Sequence, residues 1–221
     1  MSILLALVTF LLFVTITYLR STRAQPAATA EAVPAALPVA PMVNVRGFNV
    51  PKEYSFHPGH TWAASEDNRR ARVGMDDFAA NLIGKVDRVD VPSLNRWVRQ
   101  GQKVCKVTAG DTEVELVSPV EGIVVSVNEK LRDDPSLATR EPYSEGWLFS
   151  VQSPDLEVNR KNLLQGNLVQ AWMHDSVEHA CAMATGFEPA LAQDGGVPVS
   201  GLLTKVDADL RHQMISEFFL S

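Results

Sequence analysis

Cysteine is scarce in this chain. Two residues in 221, Cys105 and Cys181, form no CxxC pair, which excludes a disulfide framework and a thiol redox motif. Both read as small buried apolar residues. Aromatic side chains make up only 7% of the sequence and no basic stripe interleaves with them, so no nucleic-acid partner is expected. A glycine-rich phosphate loop is missing, as is any convincing pairing of nucleophile and base. We therefore expect no catalytic residue, no small-molecule substrate and no enzyme. His174, His179, Cys181 and His212 come nearest to a metal set. The five-residue step from His174 to His179 does not align two ligands on one helical face as a four-residue step does, so no metal is expected either.

What the sequence does have is order along its length. The net charge of −6 is uneven: three arginines against one glutamate in residues 1–50, thirteen basic against sixteen acidic in 51–154, and four against nine in 155–221. Ile3 to Leu19 carries no charge and is about the minimum length that crosses a hydrocarbon core. A retained membrane anchor over residues 1–20 is the first reading; a cleaved export signal, leaving a periplasmic protein, and a buried hydrophobic helix are the alternatives. Arg20 and Arg23 follow the span at once, and the positive-inside bias places the body of this single-pass protein in the cytoplasm. Pro26, Pro34, Pro38 and Pro41 then punctuate an alanine-rich stretch. This predicts a semi-rigid spacer, residues 21–45, between anchor and body.

The body, residues 46–154, reads as short strands with turns between them and one capped helix. Asp76-Asp77 can cap a helix carrying Phe78, Ala79, Leu82 and Ile83, with Gly84 ending it in a left-handed conformation. Val86, Val89 and Val91 start a strand closed by Pro92. Gly101 to Gly122 reads as a hairpin: Val104, Lys106 and Thr108 alternate with Cys105 and Val107, Ala109-Gly110-Asp111-Thr112 supplies the turn, and Val114, Leu116 and Val120 resume the apolar rhythm. Ile123 to Val127 and Trp147 to Val151 complete the strands. A small β-barrel or sandwich follows from this pattern. Asp111, Glu113 and Glu115, at period 2, share one side of the hairpin, as either a solvated surface or a site for a basic partner.

From Tyr54 onward the sequence resembles the H protein of the glycine cleavage system, the lipoyl-carrying shuttle. The resemblance rests on His60-Thr61-Trp62, on Val73 to Ala79, on Leu82 to Val86 leading into Val89-Asp90-Val91-Pro92, on Ser118-Pro119-Val120-Glu121-Gly122, on Val127-Asn128 and Asp134-Pro135, and above all on Pro142-Tyr143-Ser144-Glu145-Gly146-Trp147-Leu148. It implies the barrel-sandwich hybrid of lipoyl and biotinyl domains, mainly β, here preceded by one transmembrane helix and followed by added helices. In that family the lipoyl group sits on a lysine at the hairpin tip, eight residues before the proline of the SPVxG turn, and that position is Asp111 here. A carboxylate cannot form the amide, so the resemblance implies no cofactor at the tip. Lys106 and Lys103 lie upstream, in the strand or at its start. The expectation is a non-lipoylated, membrane-tethered adaptor or accessory subunit of a membrane-associated complex. The alternative is a lipoyl carrier of glycine cleavage that uses an atypical lysine.

Residues 155–221 form a helical extension. Leu168, Val169, Trp172, Met173, Val177, Cys181 and Ala184 share one face of a helix from Asn167 to Gly186, and a second helix capped by Asp207 carries Leu210, Met214, Ile215 and Phe218. Asp194-Gly195-Gly196 makes a turn between them. These faces must be buried on the barrel, on each other or on a partner. Phe218 and Phe219 join Asp111, Glu113 and Glu115 as candidate interaction residues, with core packing as the other role for the two phenylalanines.

Overall fold

Short alternating runs lay down two antiparallel sheets in the computed structural model, which describes residues 40–187, 192–193 and 197–220. The expected anchor at Ile3–Leu19, most of the spacer and the Asp194-Gly195-Gly196 turn lie outside the described residues. Among the described residues no helix is long and apolar enough to cross a membrane.

In chain order the strands are β1 (Met42–Val45), β2 (Phe48–Pro51), β3 (Ser55–His57), β4 (Thr61–Ser65), β5 (Arg70–Met75), β6 (Arg88–Asp90), β7 (Trp97–Val98), β8 (Lys103–Ala109), β9 (Thr112–Val117), β10 (Gly122–Val127) and β11 (Phe149–Gln152). A small ladder, β12 (Ala192–Gln193) with β13 (Val197–Pro198), follows. The helices are α1 (Asp77–Ile83), α2 (Lys130–Asp133), α3 (Leu137–Arg140), α4 (Leu156–Lys161), α5 (Asn167–Phe187), α6 (Leu202–Lys205) and α7 (Ala208–Phe219). The larger sheet runs β3-β4-β5-β11-β10-β7 and the smaller β6-β8-β9, with β1-β2 as a separate hairpin. The mainly β sandwich with added helices matches the architecture expected from the sequence.

Trp62 occupies the centre. Its indole N–H donates to the carbonyls of Met75 at 2.8 Å and Pro142 at 3.2 Å, so its one polar atom is satisfied without water. Gly74 lies under the ring, where a Cβ would come within 2.4 Å of the indole. Asp76 caps α1, accepting from the Ala79 N–H at 2.8 Å, as its position before the apolar run predicts. Gly84 closes α1 at φ 76, but its ψ of −124 is outside the expected left-handed helical well. Only glycine fits here: a Cβ on Gly84 would sit 2.5 Å from the Cα of Gly201, whose N–H donates to the Asn81 carbonyl at 2.8 Å.

Three expectations need correction. The spacer ends early, because Met42–Val45 pairs with Phe48–Pro51 through a two-residue turn at Arg46 and Gly47, both with positive φ (51 and 93). Leu168 is 67% exposed rather than on the buried face of α5: Val169, about 100° further round the helix, takes the inward place with Met173, Val177, Ala180 and Ala184. Phe218 and Phe219 offer no interaction surface, since both are buried at 4% and 0% exposure. Phe218 meets Phe78 edge-on at 5.2 Å, and both lie near His60, which also stacks on Trp172 at 4.5 Å. The extension therefore shares the core of the body.

Candidate functional site: the hairpin tip and its clasp

β8 and β9 face each other in register from Cys105↔Leu116 to Ala109↔Thr112, leaving Gly110 and Asp111 as a two-residue loop. Gly110 has φ 59 and Asp111 is not in the positive-φ region, the pattern of a II′ turn whose twist suits a hairpin. Cys105, Val107, Ala109, Val114 and Leu116 point inward and are buried, which fixes which side chains face out. β6 lies alongside β8, and the Asp87 carboxylate just before it accepts the Gly110 N–H at 2.7 Å. The tip is held from below.

Asp111, 78% exposed, is paired with Arg211 of α7 at 3.2 Å. The guanidinium beside it holds the Asp111 carboxyl below the usual carboxylate range. Arg211 itself is only 19% exposed, and a second nitrogen donates to the Val206 carbonyl at 3.3 Å. Asp207 caps α7 by accepting the Leu210 N–H at 2.8 Å, and so sets the helix that delivers Arg211. The other two carboxylates of the row are also engaged, Glu113 with Lys106 at 2.9 Å and Glu115 with Lys103 at 3.3 Å. The row, read from the sequence as a solvated surface or a site for a basic partner, is thus paired with the chain's own basic residues. Nothing local in the sequence signals Arg211, which stands a hundred positions from its partner.

The chemistry of the tip is limited. Asp111 offers no amine, so this residue cannot itself form a lipoyl amide. Burial pushes the Cys105 thiol up and partial burial raises Cys181, so neither is a ready thiolate. His174 and His179 stand about half exposed, near Glu178 at 3.8 Å and Glu217 at 3.6 Å respectively. Among the described residues no three His, Cys, Asp or Glu side chains gather as a metal set.

Missed in the sequence was the pair at the start of α1. His60, at φ 56 and 1% exposed, meets the Asp76 carboxylate at 2.7 Å, and the same aspartate caps α1. This pair and the aromatic rings around it join β4, α1, α5 and α7, holding the extension against the body.

Two sheets around one core, with a tight hairpin held out by β6, define a lipoyl-type presenting domain of the barrel-sandwich class. The glycine cleavage H-protein family model matches residues 54–176. The glycine cleavage system H protein of Photorhabdus laumondii is 33% identical over 107 residues, covering 48% of this chain and 82% of that protein. The one from Cronobacter sakazakii is 31% identical over 127 residues, 58% of this chain and 98% of that protein. The crystal structure of a glycine cleavage system H protein from Mycobacterium marinum superposes with a TM-score of 0.51 at 27% identity, covering 57% of this chain and 99% of that one. This chain belongs to the glycine cleavage H-protein family, and as such a protein it is not itself an enzyme.

Proposed function

We propose that the chain acts as an H-type docking protein whose partners are proteins of the glycine cleavage class, and that its hairpin tip presents a carboxylate where the family presents a lipoyl arm. One observation carries this reading: Asp111 occupies the tip and is clasped by Arg211 of the chain's own last helix. Recognition then rests on the shape of the sandwich. Intact mass of the natively purified protein tests it, with the unmodified mass expected and a lipoyl increment on any lysine overturning it.

A second reading keeps the arm and moves it to another lysine, making the chain a lipoyl carrier of glycine cleavage. The relatives' shared name supports it, and favours it over the membrane-tethered adaptor suggested by the sequence alone. Lys103 and Lys106 are the nearest hosts, 41% and 40% exposed, but each would leave a glutamate partner to take the arm. This reading predicts lipoate-dependent glycine exchange in a reconstituted reaction; exchange no greater than in a protein-free control rejects it.

We retain in this proposal an anchor at Ile3–Leu19 with the body on the cytoplasmic side, motivated by the uncharged run and by Arg20 and Arg23. Protease treatment of sealed cells should spare the body. Digestion of the body there would place it outside.

A further inference from the structure

β7 ends the larger sheet and has no neighbouring strand on its outer side among the described residues. Its first residue, Trp97, is 48% exposed, while the next, Val98, is fully buried. Strand pairing sets Trp97 opposite Ile123 of β10, itself 42% exposed, and the same row runs on through Gln152 of β11 to Arg70 of β5. The register slips between Val124 and Ser126, so Val125 is an extra residue, and it too stands exposed. Leu94, just before the strand, adds a further exposed side chain. Isolated apolar residues on a surface need no explanation. Here four of the eight large hydrophobic residues exposed in the described chain fall on this one stretch, which is gathering rather than scatter.

Charge gives the patch a direction. Arg96 and Arg99 flank Trp97, and Arg69 adjoins Arg70 at the far end of the row; all three are exposed. Among the described residues, none of their guanidinium groups lies within ion-pair distance of a carboxylate, and only the backbone N–H of Arg69 meets one, donating to Asp67 at 2.8 Å. In a chain of net charge −6, unanswered arginines around a tryptophan complement an acidic surface.

We propose that this face docks a protein partner through an acidic segment, with an apolar side chain of that segment packing on Trp97 and Ile123 and its carboxylates meeting Arg96, Arg99 and Arg69. Tryptophan and arginine are the side chains that most often dominate protein interfaces, and the arginine fork matches a carboxylate. A lipid surface fits less well, since headgroup recognition draws on clusters of about four to eight basic residues. A second copy of this chain fits poorly through its acidic hairpin, because Asp111, Glu113 and Glu115 are each already paired. Docking at this face is independent of whatever the hairpin carries.

The test is fluorescence anisotropy of a short labelled peptide of alternating Glu and Leu, titrated with the purified full chain. Saturable binding is expected, weakened by added salt and weakened at least about tenfold by the double variant Arg96→Glu/Arg99→Glu and by Ile123→Ser. The variants are to be compared at matched denaturation midpoints, with Arg96→Gln/Arg99→Gln replacing the charge reversal if the latter unfolds early. Arg132→Glu, on α2, should bind as the parent does. Equal binding of a Lys-Leu peptide, binding to phosphatidylglycerol vesicles alone, or no saturable binding overturns the proposal.

Discussion

The hairpin and the β7–β10 face are both exposed, yet their charges are arranged in opposite ways. On the hairpin, Asp111, Glu113 and Glu115 are answered by Arg211, Lys106 and Lys103 of the same chain. On the β7–β10 face the Arg96 and Arg99 guanidinium groups pair with no carboxylate among the described residues. A basic partner arriving at the hairpin must displace ion pairs that already exist, whereas an acidic partner at the other face displaces only water. Counting charges along a sequence therefore misjudges which surface is available. Pairing, not the count, decides it.

The largest expected effect tests whether both regions ride on one core. Trp62→Ala should lower the unfolding free energy by about 3–5 kcal/mol in chemical denaturation, because it removes a fully buried ring and its two hydrogen bonds. Both regions should be lost in a single transition; two separate transitions would break the comparison by making them independent units. A smaller effect should separate the regions. Asp207→Ala removes the cap of α7 and should cost about 1 kcal/mol. Amide exchange should quicken in β8 and β9, next to Arg211, and stay unchanged in β7 and β10.

A pH effect should come next. Burial, and secondarily the neighbouring His60, lower the His57 pKa below its usual 6.5, and the His57 Nδ1 accepts the Gly59 N–H at 3.0 Å, a role open only to the neutral ring. The unfolded chain thus takes up this proton first. The stabilisation is complete above pH 6.5, falls as pH drops below it, and levels off beneath the folded-state pKa. His57→Gln should flatten that window in urea titrations at stepped pH. Smallest of all, Asp111→Ala should barely move the denaturation midpoint, since Asp111 itself is largely in solvent, while shifting the NMR resonance of the Arg211 side chain. An unmoved resonance would show that the clasp does not form in solution.

Features set by residues adjacent in the chain are legible in the sequence itself: the alternation of β8 and β9, the cap at Asp76, the cap at Asp207 and the inward stripe of α5 from Val169 onward. Those that depend on residues far apart are not. Arg211 belongs to Asp111 only because α7 packs beside β9, and Gly84 must be glycine because Gly201, distant in the chain, leaves no room for a Cβ. Phe218 and Phe219 can be read either as partner anchors or as core, and the nest around His60 decides for core. The short helices α2, α3, α4 and α6 leave no signal because four to six residues carry too little periodicity to show a face.

The aromatic nest around His60 has a consequence for where this protein can be cut. The family match stops at residue 176, but Val177, Ala180, Ala184, Met214, Phe218 and Phe219, all beyond it, are buried in the common core. The homologous unit and the folding unit are therefore different objects. A fragment trimmed to the length of its relatives would expose Phe78 and His60 on a raw apolar face, inviting aggregation. Expression boundaries for this chain belong after Leu220, beyond the last ring that closes the nest.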